Sequence, residues 1–426
     1  MGDIKGVNGP RSAYLHIPFC HRRCFYCDFA VVPLGDKASG VNGPGSSFIK
    51  NYLSLLHREI ALIPEGPPLS TIYIGGGTPS LLSPQQISSL LNHLQRRFRF
   101  QDGAEISLEI DPASFNFHDL EGYLDAGINR VSLGGQSFDD SILEQLGRRH
   151  RCKHLIESCS WLNDFYKRGR LSTWSLDLIQ SLPGQNVLLW EKELTNAIDT
   201  GAPHLSIYEL SIEKGTVFEW RHRRGELLLP DEDLSVELMR ATGSMLLKAG
   251  FARYEISNYA LPQHASRHNR VYWSGAGWWG FGQGATSAPW GERFSRPRTF
   301  DGYRGWIEDQ ELYGLDSSLR LSTAKPMPLD EKLIVGLRRR EGVDLFSFAK
   351  QWGWDQNQCA EYLTSLELLW SDAIDRGLLK QEGTRHKLSN PEGMEISNQV
   401  LVQMLRWWDA LPEDAVAGPM FGELPH

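Results

Sequence analysis

No stretch of this 426-residue chain approaches the roughly 18 consecutive apolar residues of a membrane-spanning helix. The opening segment MGDIKGVNGPRS has no apolar core and no cleavage pattern, so no secretory signal is expected. Gly6 stands where a myristoylation motif has Ser or Thr. These absences predict a cytoplasmic protein with no transmembrane segment. A dense Lys/Arg tract is also missing and the net charge is −8, which argues against a protein built to grip nucleic acid phosphates. Cysteine is scarce: six in the whole chain, far below the density of a disulfide scaffold.

The cysteines that are present cluster. Cys20, Cys24 and Cys27 fall within eight residues, while Cys152, Cys159 and Cys359 are scattered, as small buried apolar residues are. The spacing is C-x3-C-x2-C, directly after a predicted strand at 13–17. Three thiolates in one turn-rich loop can face a common point. Thiolates are the usual ligands of iron–sulfur clusters, which normally take four, so three nearby cysteines leave one iron open to a small chelate. Arg22 and Arg23 can offset the negative charge of such a cluster. On spacing alone the alternative is a zinc site with His16 or His21 as fourth ligand.

Around this loop the first two-thirds of the chain alternate between two periods. Short β-branched or aromatic runs predict strands at 13–17, 70–74, 105–110, 130–133, 173–179 and 204–210. Helical spacing predicts helices at 48–63, 84–94, 120–126, 141–146, 153–165, 188–200 and 231–249. Ser83-Pro84-Gln85-Gln86 reads as a capping box with Pro at the first helical position. Repeated strand–helix units imply a parallel sheet, either a partial barrel or an open doubly wound sheet, with ligand chemistry at the C-terminal ends of its strands. Residues 31–47, rich in Asn-Gly and Gly-Pro, read as a loop.

The pattern changes after about residue 300. Helices are predicted at 330–337, 345–352, 358–369 and 394–408, with a hairpin around Gly383. The expected organisation is a tail at 1–11, a core at 12–300, a linker at 301–329, a small winged-helix-like domain at 330–410 and a loosely ordered tail at 411–426.

Taken with Tyr14-Leu15-His16-Ile17-Pro18-Phe19-Cys20, the cysteine loop resembles the signature of the radical S-adenosylmethionine (SAM) superfamily. More narrowly, the chain is similar to the branch of oxygen-independent coproporphyrinogen III oxidases and HemW-type heme chaperones. The likeness runs from about Tyr14 to Leu405. It is carried by Gly75-Gly76-Gly77-Thr78-Pro79, Glu109-Ile110-Asp111-Pro112, Gly135-Gln136-Ser137-Phe138, Leu146-Gly147-Arg148 and Asp177-Leu178-Ile179. Leu182-Pro183-Gly184-Gln185, Tyr254-Glu255-Ile256-Ser257-Asn258-Tyr259 and His268-Asn269-Arg270-Val271-Tyr272-Trp273 continue it.

The resemblance implies an α/β fold: a partial (β/α)6 TIM-like radical SAM barrel with a small C-terminal winged-helix-like domain. It implies a 4Fe-4S cluster on Cys20, Cys24 and Cys27, and SAM against Gly76, Gly77, Thr78 and Glu109. Gln136, Arg148 and Asp177 match residues around a second SAM position, and Tyr14 and Tyr26 match residues flanking the two positions. The implied chemistry is one-electron reduction of SAM to methionine and a 5'-deoxyadenosyl radical, fed by an electron donor and sensitive to oxygen.

Two residue patterns separate the branches. The resembling oxidases carry another cysteine two residues after the third, where this chain has Cys27-Asp28-Phe29. His268-Asn269-Arg270-Val271-Tyr272-Trp273 resembles the H-N-x-x-Y-W heme motif of the chaperones, and imidazole is a heme-iron ligand. The expected activity is therefore binding of heme, with His268 as ligand, and its transfer to an acceptor protein. Oxidative decarboxylation of coproporphyrinogen III propionates is the alternative, and radical chemistry on another tetrapyrrole is a third reading. Ile179-Gln180-Ser181-Leu182 departs from the familiar Ile-Tyr-Gly-Leu, as does Gly282-Gln283-Gly284-Ala285-Thr286-Ser287 from a Gly-Ala-Gly-Ala-His-Gly run.

Overall fold

The structure, a computed structural model, describes residues 9–35, 44–320, 326–395 and 397–417. Six strands run in one direction: β1 (Ser12–Ile17), β2 (Leu69–Gly76), β3 (Phe100–Ile110), β4 (Arg130–Gln136), β5 (Thr173–Gln180) and β6 (His204–Glu209). They pair in sequence order, all parallel. Trp279–Phe281 adds a parallel strand beyond β1, and Asn258–Ala260 with Ala252–Arg253 extends the other edge in antiparallel fashion, giving nine strands.

Alternate residues of each strand face opposite sides. Leu15, Ile17, Ile72, Ile74, Leu108, Val131, Leu133, Leu176 and Leu205 are buried in one continuous apolar core with the covering helices. Parallel sheets are usually apolar on both faces. Here the intervening positions are Ser12, Tyr14, His16, Thr71, Tyr73, Glu105, Ser107, Glu109, Arg130, Ser132, Ser175, Asp177, His204 and Ser206. A polar inner face makes sense if the sheet curls around a cavity. One does open there: Gly76, Glu109, Gln136, Asp177 and Tyr208, from the C-terminal parts of five successive strands, line a single space. The α/β partial barrel is thus formed, with no hydrogen-bonded ring closure among the described residues.

The crossover helices follow the apolar periodicity. Pro84–Phe98 begins at the expected capping box, where the Gln86 amide donates to Ser83 Oγ (3.3 Å) and the Ser83 amide to Gln86 Oε1 (2.9 Å). The chain after the barrel gathers a second apolar cluster from Leu329 to Ala415. It contains helices Leu329–Leu337, Leu345–Trp352, Gln356–Leu369 and Ser397–Asp409, and the hairpin Leu379–Glu382 with Arg385–Leu388.

Three expectations need correction. Residues 301–329, expected as a linker, contain most of the helix Phe300–Tyr313, whose Tyr303 and Ile307 are buried in the barrel's core. The described part of the 411–426 tail is ordered by burial: the Ala415 carbonyl accepts from the indoles of Trp352 and Trp354 (3.1 and 2.9 Å). Within the 31–47 loop, Val32–Pro33 pairs with Phe19–Cys20 as a short parallel ladder. Residues 1–8, 36–43 and 418–426, which belong to the expected tails and loop, lie outside the described residues.

Candidate functional site

A cavity of about 470 Å³ opens at the C-terminal ends of the barrel strands. The cysteine loop forms one wall, because β1 ends at Ile17 and the chain turns over the barrel mouth. Backbone bonds pin the loop: the Phe25 amide donates to the Leu146 carbonyl (3.0 Å), and the Phe218 amide donates to the Phe25 carbonyl (2.9 Å). Gly147, at φ +76°, lets the Phe25 ring approach where a Cβ would sit 3.0 Å from it. Arg22 and Arg23 staple the loop. Arg22 donates to the Arg148 carbonyl (2.5 Å), and Arg23 donates to the carbonyls of Cys27 (2.9 Å) and Phe29 (3.4 Å).

Positive charge beside the thiols comes from Arg148, which acts on Cys20, and from Arg23, which acts on Cys27. Arg148 Nη1 donates to Cys24 Sγ at 3.5 Å, while Thr78 Oγ1 donates to Cys20 Sγ at 3.6 Å. Cys20, Cys24 and Cys27 are free thiols that all line the cavity. Burial pushes the Cys20 thiol up to about 12, so its thiolate needs a strongly cationic partner such as cluster iron. Among the described residues no three His, Cys, Asp or Glu side chains gather at single-ion distance. His16, a candidate zinc ligand, is engaged elsewhere, with Nδ1 on Tyr14 Oη (2.9 Å) and Nε2 on the Ala30 carbonyl (3.0 Å). A free set of three thiols on one loop suits a larger cluster with an open iron.

Facing the thiols is a cradle without side chains. A Cβ on Gly77 would lie 2.7–2.9 Å from the Phe19 carbonyl, Cys20 Sγ and the Pro18 carbonyl; one on Gly76, at φ +119°, would strike the His16 ring at 2.7 Å. Only glycine lets the backbone at the end of β2 pack this closely against Pro18–Cys20 and His16, and so bring the Gly76–Thr78 segment to the cavity wall beside the cysteines. Glu109 closes the floor, accepting from the Tyr73 hydroxyl and from the Gly76 amide, both at 2.9 Å. Burial raises its carboxyl to about 7 against these two bonds.

The remaining polar wall comes from β3, β4 and β5. Arg148 Nη2 donates to the Gly134 carbonyl (2.9 Å) and to Asp111. Burial would raise the Asp111 carboxyl, and the Arg148 guanidinium outweighs it, holding Asp111 well below the usual carboxylate range. Asp177 accepts from Ser132 Oγ (2.8 Å), and burial pushes its carboxyl upward. Gln136 sits at φ +67° on a register shift between β4 and β5, a backbone strain that tends to gather at functional sites. The Tyr26 phenol, raised by burial, packs near Phe218 at a centroid distance of 6.4 Å.

Eleven expected site residues therefore share one cavity: Cys20, Cys24, Cys27, Tyr26, Gly76, Gly77, Thr78, Glu109, Gln136, Arg148 and Asp177. Tyr14 and His268 are absent from its lining. Tyr14 lies beneath it, stacked at 6.2 Å on Tyr73. His268 is fully buried on the helix Arg267–Ser274, packed on β2. Its Nδ1 meets Thr71 Oγ1 and its Nε2 meets Tyr272 Oη, each at 2.8 Å. Sequence reasoning singled out neither Asp111 nor Tyr208, although Asp111 stood inside a quoted motif.

Comparisons with known proteins agree with this geometry. The radical SAM superfamily profile matches residues 14–187. Heme chaperone HemW of Synechocystis sp. is 37% identical over 421 residues, covering 95% of this chain and 98% of that protein. Heme chaperone HemW of Bacillus subtilis is 33% identical, covering 80% and 87%. The mitochondrial radical S-adenosyl methionine domain-containing protein 1 of Bos taurus is 31% identical, covering 78% and 74%. Among solved structures, coproporphyrinogen III oxidase (HemN) from Escherichia coli aligns with a TM-score of 0.73 at 19% identity, covering 93% of this chain and 90% of that one, a likeness of fold.

Proposed function

This chain belongs to the HemW family of radical SAM proteins, and from that premise we propose that it is a heme chaperone that carries a 4Fe-4S cluster and SAM. The observation that carries the reading is the convergence of three free thiols, a glycine cradle and buried carboxylates in one cavity. Cys20, Cys24 and Cys27 would hold the cluster, which when bound supplies one-electron reduction of SAM. Gly76 and Gly77 line the cavity beside it and would meet SAM through their backbone, Thr78 and Arg148 donate toward the thiolate sulfurs, and Glu109 offers an acceptor at the strand end. Tyr26, Gln136 and Asp177 line the same space and would enclose the bound group and exclude water.

Heme as cargo and an acceptor protein as its destination are supported by the names of the related proteins and by the His268–Trp273 motif. Among the described residues no helix is long and apolar enough to cross a membrane. In the enclosed state His268 has both ring nitrogens hydrogen-bonded, so heme coordination through it requires the helix Arg267–Ser274 to lift from β2.

An anaerobic heme titration of the cluster-reconstituted protein tests the reading. A saturable Soret band near one heme per chain is the expected result. Absence of saturable binding, together with protoporphyrinogen formation from coproporphyrinogen III under reducing conditions, would replace the chaperone with the oxidase.

A further inference from the structure

His268 is too deeply built into the barrel to be explained by heme alone. Its backbone amide donates to Glu105 Oε1 (2.9 Å), and the neighbouring Arg267 amide donates to Glu105 Oε2 (3.0 Å), so one carboxylate of β3 anchors the helix start. Thr71 Oγ1 gives its only hydrogen to Ser12 Oγ (2.9 Å). It must therefore accept from His268 Nδ1–H, which leaves Nε2 to accept from the Tyr272 hydroxyl. Burial drives the His268 pKa down to about 3, in keeping with this neutral tautomer.

The imidazole held this way lies against the Tyr73 ring, with centroids 5.1 Å apart and planes at 23°. The Tyr73 hydroxyl donates to Glu109 Oε1, and Glu109 Oε2 takes the Gly76 amide. Gly75 makes the contact possible, since its Cβ would lie 2.9 Å from both the Glu109 carboxylate and the Tyr73 ring. A single packed route thus joins His268, one layer below the cavity, to the carboxylate and amide that face it.

We propose that His268 is a positioning residue for the SAM site: through the Tyr73 ring it fixes the Glu109 carboxylate against the Gly76 amide. The inference rests on the reading that Glu109 and Gly76 meet SAM. Tyr272, four residues on, acts in the same route by holding the imidazole orientation, with its ring edge-on to His268 at 4.9 Å.

The test is equilibrium binding of SAM to the anaerobically cluster-reconstituted chain. The proteins compared are wild type, His268→Ala, Tyr73→Phe and the double variant, with iron content and thermal midpoint recorded for each. Tyr73→Phe keeps the ring and deletes one hydroxyl, so it isolates the route even if His268→Ala folds poorly. Each single variant is expected to weaken SAM binding about ten-fold or more, the size of a lost hydrogen bond to a charged acceptor, at wild-type iron content. The double variant should be no weaker than the worse single, because both changes act through one carboxylate. Wild-type SAM affinity in Tyr73→Phe, or additive losses in the double variant, overturns the proposal. So does His268→Ala that loses heme binding while keeping SAM affinity, which would make His268 a ligand and not a positioning residue. Wild-type protein that keeps its cluster yet fails to bind SAM overturns the SAM-site reading itself, and the inference falls with it.

Discussion

Arg148 meets three demands with one guanidinium: it donates to Cys24 Sγ, to the Gly134 carbonyl and to Asp111. The side chains of the ion pair are only 12% and 20% exposed, so neither charge has water as a ready substitute. Breaking such a pair by removing one partner typically costs about 3–5 kcal/mol, because the other charge stays buried and uncompensated. Arg148→Met should lose stability on that scale in urea unfolding and retain less iron per chain after reconstitution. Arg148→Lys should retain less iron as well, since an ammonium cannot reach three divergent acceptors as the planar fork does. Arg148 was legible in the sequence through Leu146-Gly147-Arg148, as were the cysteines through their spacing. Asp111 was not, because its partner lies 37 residues away and no local pattern announces that pairing. Arg22 and Arg23 do more than adjacency to the cysteines suggested: burial raises the Cys27 thiol and the Arg23 charge works against it, while both guanidinium groups also tie down carbonyls, Arg22 that of Arg148 and Arg23 that of Cys27.

Among the elements, the edge of the sheet depends on Glu59, on the helix Pro44–Leu62. It accepts from the Gly282 amide (2.7 Å), from Arg296 Nε (2.7 Å) and from the Tyr303 hydroxyl (2.6 Å). This ties the strand Trp279–Phe281 and the helix Phe300–Tyr313 to the barrel from positions remote in sequence. Both side chains of the Glu59–Arg296 pair are fully buried. Glu59→Ala should therefore destabilise by about 3–5 kcal/mol in chemical denaturation, with the Arg296 charge stranded between the rings of Phe294 and Trp306. Elements with several turns of apolar periodicity, such as Pro84–Phe98, could be read from sequence, capping box included. Trp279–Phe281 could not. Three residues centred on Gly280 carry no alternation, and the strand exists because its register with β1 and the anchor at Gly282 hold it. The helix Phe300–Tyr313 was hidden by Gly302 and Gly305, and only its buried face against the barrel reveals its place.

Across the molecule, strand–helix alternation predicts a parallel sheet, yet the polar inner face that makes it a vessel appears only once the strand registers are known. That interior stores neutral imidazoles. Burial lowers His16 to about 4 and His268 to about 3. An unfolded chain protonates these rings near 6.5, while the folded chain keeps them neutral until the pH falls well below that. Between those values the unfolded state binds more protons, so their contribution to stability declines as pH falls and is intact above about 6.5. Glu109, raised to about 7, acts in the opposite sense over part of the same window, because its folded form keeps a proton that the unfolded carboxylate has released. Comparing wild type with His268→Gln cancels the carboxylates and leaves the imidazole term. Anaerobic urea unfolding of both proteins at pH 7.5 and 5.5 should show the wild-type advantage shrinking by about 1.4 kcal/mol, one pH unit of a single proton. An advantage that holds constant across that window would mean that the folded His268 ring takes up its proton over the same pH range as the unfolded one, and the hydrogen bond it accepts from Tyr272 would have to be reassigned.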